Sequence, residues 1–274
     1  MTKVRRYSRA SGPAESLAAR AADPAARWLA GGTFLLAGDG IDKPEAVVDV
    51  GAALPRGIER QAGSALIGAG ATLQEIAESE AVPACLAEAA LTMMNRNTRN
   101  RATIGGNLGA DKSCSSLVPI LLVLGAEVEV ISPASPEPAR LLLERWLEER
   151  SGSQRAADLV LRVSVPMDPS VRAAYRRWNR VSCDLSVLGA AAAYSLSDGR
   201  VSGLRIALGG LGPKARRHPA LEALFEGKCL PSREEIEKAA APLLEPISDL
   251  RASAAFKRLR GAQLLADALA EARA

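Results

Sequence analysis

Two glycine pairs, far apart in the chain, constrain it more than any other feature. The first lies in Leu29-Ala30-Gly31-Gly32-Thr33 and the second in Arg101-Ala102-Thr103-Ile104-Gly105-Gly106-Asn107-Leu108. Each adjoins an apolar run. Each reads as a turn in which backbone N–H groups approach a ligand with no Cβ in the way. Thr33 and Thr103 add hydroxyls beside the turns, and Asn107 adds a carboxamide. A single Gly-Gly is an ordinary turn signal. Two of them, in this setting, point to a pyrophosphate-bearing ligand held between two loops. Neither reads as a G-x-G-x-x-G turn that opens a helix and is followed by an acidic residue about 20 positions on, which argues against a nicotinamide-binding Rossmann domain.

Composition sets the outer limits. The 274 residues suffice for one large domain or two ordinary ones. Hydrophobic residues make up 48% and charged residues 24%, an ordinary globular balance. Aromatics are only 3%, so the core is built from Ala, Leu and Val, and stacking platforms for single-stranded nucleic acid are not expected. The net charge of +4 is mild. Basic clusters at 96–101, 172–180 and 214–218 read first as solvated faces and second as anion-binding surfaces. No apolar run is long enough to span a membrane. The N-terminal stretch lacks the apolar region of a secretory signal, and a cytoplasmic location is the default reading.

Cys85, Cys114, Cys183 and Cys229 lie far apart and form no C-x-x-C, so neither a zinc site nor an iron–sulfur cluster is expected. The single histidine, His218, sits in a polar loop and makes a Ser-His-Asp triad improbable.

Periodicity divides the chain in two. Residues 1–166 read as mixed α/β. A helix is expected over 14–27, strands over 28–30, 46–50 and 65–69, and a capping box at Thr72-Leu73-Gln74-Glu75. A helix over 84–93 and a loop over 95–101 follow. Then come a helix over 115–124, a strand over 127–131, a proline loop over 133–138, a helix over 141–150 and a strand over 158–165. Residues 166–174 read as a linker. Beyond it, 185–196 and 201–208 form a hairpin about Asp198-Gly199, followed by helices over 232–244 and 249–274.

The wording of the glycine segments resembles the FAD-binding subunit of molybdenum-containing hydroxylases, the medium subunit of the xanthine dehydrogenase and carbon monoxide dehydrogenase family. Leu29-Ala30-Gly31-Gly32-Thr33 is similar to that family's first FAD loop, and Arg99-Asn100-Arg101-Ala102-Thr103-Ile104-Gly105-Gly106-Asn107-Leu108 is similar to its second. The segments 67–73, 121–129, 184–196 and 206–210 also resemble family segments, so the likeness spans nearly the whole chain.

The resemblance implies an α+β fold. A two-part FAD-binding domain of the PCMH and vanillyl-alcohol-oxidase type would occupy 1–166, with subdomains of about 1–55 and 56–166. A C-terminal flavoprotein domain of antiparallel sheet and helices would occupy 170–274. The implied cofactor is FAD, held by Trp28, Leu29, Ala30, Gly31, Gly32, Thr33, Phe34 and Leu35 and by Thr103, Ile104, Gly105, Gly106 and Asn107. Ser116 stands where the family carries an aspartate that bonds the cofactor, and Arg176 falls about where many members carry a lysine near the flavin. Phe34 stands where an acidic residue is common. The implied function is an electron-transfer subunit of an oxidoreductase. Its partners would be a large subunit with the molybdenum cofactor and a small iron–sulfur subunit, with NAD among the candidate acceptors. Phe34 and Ser116 also fit a second reading, a structural subunit that has weakened or lost FAD binding.

Overall fold

The computed structural model describes residues 4–37, 44–151 and 155–273. Three sheets carry the architecture, which is mixed α+β. The first contains β1 (Arg6–Arg9), β2 (Arg27–Leu29) and β3 (Ala46–Asp49), with α1 (Pro13–Ala22) between the first two strands. Its order is β1-β3-β2 and both pairings are parallel. Ala46, Val47 and Val48 are buried, as befits a strand paired on both edges. α1 stops well short of the expected Arg27. Pro24 disfavours helical backbone at Asp23, which takes φ −131° as the helix ends.

The second sheet is antiparallel. It is built from β4 (Ile58–Gln61), β5 (Ser64–Gly68), β6 (Glu127–Ser132), β7 (Ser135–Leu142) and β8 (Leu159–Pro166), in the order β4-β5-β8-β6-β7. β7 runs through the expected proline loop. It is an edge strand, where Pro136 and Pro138 can lack an N–H without costing an interior ladder bond. Between β5 and β6 come α2 (Leu73–Ala77), α3 (Ala84–Leu91), α4 (Arg96–Arg99), α5 (Ile104–Ala110) and α6 (Leu117–Val123), and α7 (Leu143–Ser151) precedes β8. The Thr72–Glu75 capping box starts α2 as expected. The expected loop over 95–101 contains the single turn α4, because the Asn95 side chain accepts the Thr98 N–H.

The third sheet holds β9 (Arg172–Trp178), β10 (Leu188–Ser197), β11 (Arg200–Gly209) and β12 (Arg216–Arg217), antiparallel in the order β12-β11-β10-β9. Asp198 at φ 50° and Gly199 at φ 76° make the β10–β11 turn, matching the Asp-Gly signal. β9 occupies part of the expected linker. α8 (Pro219–Phe225), α9 (Arg233–Ala240) and α10 (Ala254–Glu271) follow. α10 starts later than the expected 249 because Ser253 caps it, accepting the Phe256 N–H.

Strand alternation splits the third sheet between two cores. Ala191 and Ala193 of β10, Ala207 of β11 and Tyr175 of β9 join the core of the first two sheets. Leu188, Ala190, Ala192, Ile206 and Leu208 face the other way, onto Leu264, Leu265 and Leu269 of α10. α6 is buried along its whole length and packs against β9, β10 and β11. It is the shared wall between the two halves.

Candidate functional site

The structure corrects the reading of the second glycine pair. Gly105 and Gly106 are not in a turn. They lie in the first turn of α5, where Thr103 is the N-cap and its Oγ1 accepts the Gly106 N–H at 3.1 Å. The Gly105 N–H goes to Ala69 O at 2.9 Å and the Ile104 N–H to Ala71 O at 3.0 Å. The amides this segment was expected to offer a ligand are thus already bonded. The glycine at 105 answers to packing: a Cβ there would sit 2.8 Å from Ala69 Cβ.

The first pair behaves differently. After β2, Gly31 packs against the segment leading into α5, and a Cβ there would come within 1.7 Å of Arg101 O. Gly31 therefore locks this loop onto the segment that leads into α5. Gly32 has φ +71°, a left-handed conformation suited to glycine. Among the described residues, none of the backbone N–H groups from Gly31 to Leu35 finds an acceptor. A run of amides without an acceptor among the described residues, beside a left-handed turn, forms a cradle open to an anion.

That cradle opens onto a cleft with a cavity volume of about 200 Å³. Trp28, Ala30, Gly31, Gly32, Thr33, Phe34 and Leu35 line it from one side, and Thr103, Gly105, Gly106, Asn107 and Ser116 from another. Leu29 and Ile104 do not line it, and Ile104 is fully buried in the core behind. The Trp28 indole N–H bridges to Ala157 O and Asp158 O, tying β2 to the start of β8. Asn107 Oδ1 accepts the Ser115 hydroxyl at 2.6 Å, so its amide nitrogen is the end left for a ligand. Ser115 also caps α6 through the Val118 N–H, which leaves Ser116 facing the cleft.

Arg176 does not line the cleft. It points to the other face of the third sheet and pairs with Glu271 of α10. Its neighbour Arg177, by strand parity, lines the cleft with Asp184, Leu185 and Ser186.

The sequence reading also missed the charge of the site. Arg20, Arg27, Lys112, Arg150 and Arg177 border the cleft, against Asp158 and Asp184. Asp158 is engaged by the Trp146 indole N–H and Arg155. Burial pulls the pKa of both Arg150 and Arg177 below that of a free arginine, yet guanidinium stays charged. Both donate to backbone carbonyls: Arg150 to Gly109 O at 2.8 Å and Arg177 to Ser182 O at 2.7 Å. With five cations against two carboxylates, the border of the cleft carries net positive charge and favours an anionic ligand. Lys112 Nζ lies 5.2 Å from the Phe34 ring centroid, so Phe34 holds a cation at the rim.

The remaining sequence candidates are structural. In the 96–101 cluster, Arg96 pairs with Glu78 and Arg99 bonds Gln74 and the Met93 carbonyl. Lys214 pairs with Asp111, joining the third sheet's half to the end of α5. Burial lowers the pKa of His218, away from the ionised state. Among the described residues, no group of three or more His, Cys, Asp or Glu is placed to hold a metal ion, and no helix is long and apolar enough to cross a membrane.

Residues 2–168 match the family model described as the FAD binding domain in molybdopterin dehydrogenase. The chain belongs to that family. Residues 150–272 match a second model, the CO dehydrogenase flavoprotein C-terminal domain. YgfM of Escherichia coli strain K12 is 34% identical over 210 residues, covering 76% of this chain and 73% of that protein. The carbon monoxide dehydrogenase medium chain of Hydrogenophaga pseudoflava is 28% identical over 261 residues, covering 89% and 88%. A solved carbon monoxide dehydrogenase from the same organism, lacking the Mo-pyranopterin moiety of its cofactor, superposes with a TM-score of 0.85 at 26% identity, covering 100% of this chain and 98% of that one. The chain is accordingly a member of an FAD-domain family of oxidoreductase subunits.

Proposed function

We propose that this chain is the FAD-carrying electron-transfer subunit of a molybdenum hydroxylase complex. It would work with a molybdenum-cofactor large subunit and an iron–sulfur small subunit, and pass electrons to an external acceptor such as NAD. The observation that carries this reading is the run of amides from Gly31 to Leu35 that find no acceptor among the described residues, set in a cleft bordered by five cations. FAD, when bound, supplies the redox chemistry; the protein supplies placement and electrostatics.

The residues fit the group. The amides of 31–35 and the Thr33 hydroxyl are donors for its pyrophosphate. Arg150 and Arg177 offset its negative charge from opposite halves of the molecule. The Asn107 amide and Ser116 hydroxyl supply neutral hydrogen bonds. Gly109, with nothing within 4 Å of the place its Cβ would take, leaves one wall open for the ligand. The four cysteines lie dispersed, so in this reading the iron–sulfur clusters belong to the small subunit.

Purification of the tagged chain from its native host tests the assembly. A co-purifying complex that contains molybdenum and iron, with two further subunits, supports the reading. A chain recovered alone, with neither metal, contradicts it.

A further inference from the structure

One wall of the cleft is held in place from outside itself. Gly109, Ala110, Lys112, Cys114, Ser115 and Ser116 line the cleft where α5 gives way to α6. Residues 111–116 of that wall belong to no helix or strand. Two contacts from the other half fix them. Gly209, at the end of β11, packs so closely that a Cβ there would sit 2.6 Å from Ser113 O. Lys214, in the loop between β11 and β12, reaches across to the Asp111 carboxylate and donates to Ser151 Oγ at 2.7 Å. The ion pair is largely shielded, with side chains 26% exposed for Lys214 and 7% for Asp111.

Asp111 runs against the local chemistry of its position. It ends α5 in a left-handed conformation, at φ 43°. Glycine meets such a helix end without strain. The partial negative charge of a helix C-terminus also disfavours a carboxylate. A residue that breaks two local rules at once points to a compensating role. Here the carboxylate takes Lys214 from the other half and lies near enough to Arg150 to support that guanidinium's charge. Arg150 lines the cleft and donates to Gly109 O at 2.8 Å. Asp111 thus stands between a cleft cation and a clamp from the far side.

Resting on the FAD reading, we propose that Lys214 and Asp111 are positioning residues for the cofactor: their ion pair sets the 109–116 wall where it meets the ligand. Neither residue lines the cleft itself.

The test uses the full chain as wild type, Asp111→Asn, Lys214→Met and Lys214→Arg. Each is titrated with FAD well below its own melting temperature, which is measured without ligand. Asp111→Asn and Lys214→Met should both lose about 3- to 10-fold in FAD affinity, the range in which a contact remote from the ligand modulates binding. Lys214→Arg keeps the charge and the reach, and should bind FAD as wild type does. The direction of the changes separates positioning from charge. Asp111→Asn makes the surroundings of the cleft more positive and Lys214→Met makes them less so, and charge alone would tighten binding of an anion in the first and weaken it in the second. Opposite changes in the two variants would therefore overturn the assignment. So would FAD affinities equal to that of wild type, even with lowered melting temperatures, which mark a purely structural pair. A wild-type chain that binds no FAD would overturn the FAD reading and this assignment with it.

Discussion

Arg176 and Arg177 are consecutive on β9 and serve opposite faces of one sheet: Arg176 pairs with Glu271 of α10, and Arg177 lines the cleft. The two substitutions therefore separate stability from binding. Arg177→Ala should weaken FAD binding about 10-fold, the worth of one charge-assisted contact. Arg176→Ala should leave FAD affinity unchanged. It should cost at most about 1 kcal/mol of stability, since its side chain is 42% exposed and that of Glu271 33%. Flavin titration and denaturant unfolding of the pair check both halves.

Two glycines of the cleft answer to different constraints. Gly31→Ala drives a Cβ into Arg101 O, a backbone atom that cannot swing aside. It should destabilise the protein by about 3 kcal/mol, at the upper end of overpacking costs, and lower FAD retention as the loop lifts. Gly109→Leu has open space and points a side chain into the cleft wall. It should preserve the melting temperature and reduce FAD binding more than 10-fold, because the branched side chain and the ligand compete for one volume. Circular dichroism melts alongside flavin titration distinguish the two outcomes.

Lys257 is fully buried and its ammonium bonds Asp249 Oδ2 at 2.7 Å. Burial pushes the Asp249 carboxyl up, but the Lys257 ammonium and the Arg251 and Ala252 amides outweigh it and hold the carboxyl below its ordinary range. A depressed folded-state pKa contributes stability that is full above the unfolded value and is lost as pH falls through the folded one. Asp249→Asn should therefore cost about 2 kcal/mol at pH 7, discounted from the fully buried case because Asp249 is 34% exposed. The gap from wild type should close below the ordinary aspartate range, about pH 4. Urea unfolding across pH 2–8 reads it directly.

Much of the fold was legible because local chemistry and tertiary context agreed. The Thr72–Glu75 capping box, the Asp198-Gly199 turn and the Val-rich β3 all formed where their residues pointed. What was missed lacked an apolar pattern. β1 is Arg-Tyr-Ser-Arg with every side chain exposed, and β4 is largely exposed, so each is held by its sheet neighbour. α5 was hidden by its glycines, which lower helix propensity by about 1 kcal/mol each. The Thr103 cap and the bonds to Ala69 and Ala71 override them.

The site followed the same rule. Its loops were marked by wording, whereas Arg20, Arg27, Lys112 and Arg150 are isolated cations that only folding collects. The one-residue displacement from Arg176 to Arg177 is a parity question, settled only when β9 pairs with β10.

The central claim is that FAD occupies the cleft below the Gly31–Leu35 amides. The most direct measurement is the visible spectrum of the purified full chain after incubation with FAD and removal of the excess. A flavin band at near-stoichiometric FAD, lost in Gly109→Leu, is the expected result. A well-folded wild-type chain that stays colourless would contradict it.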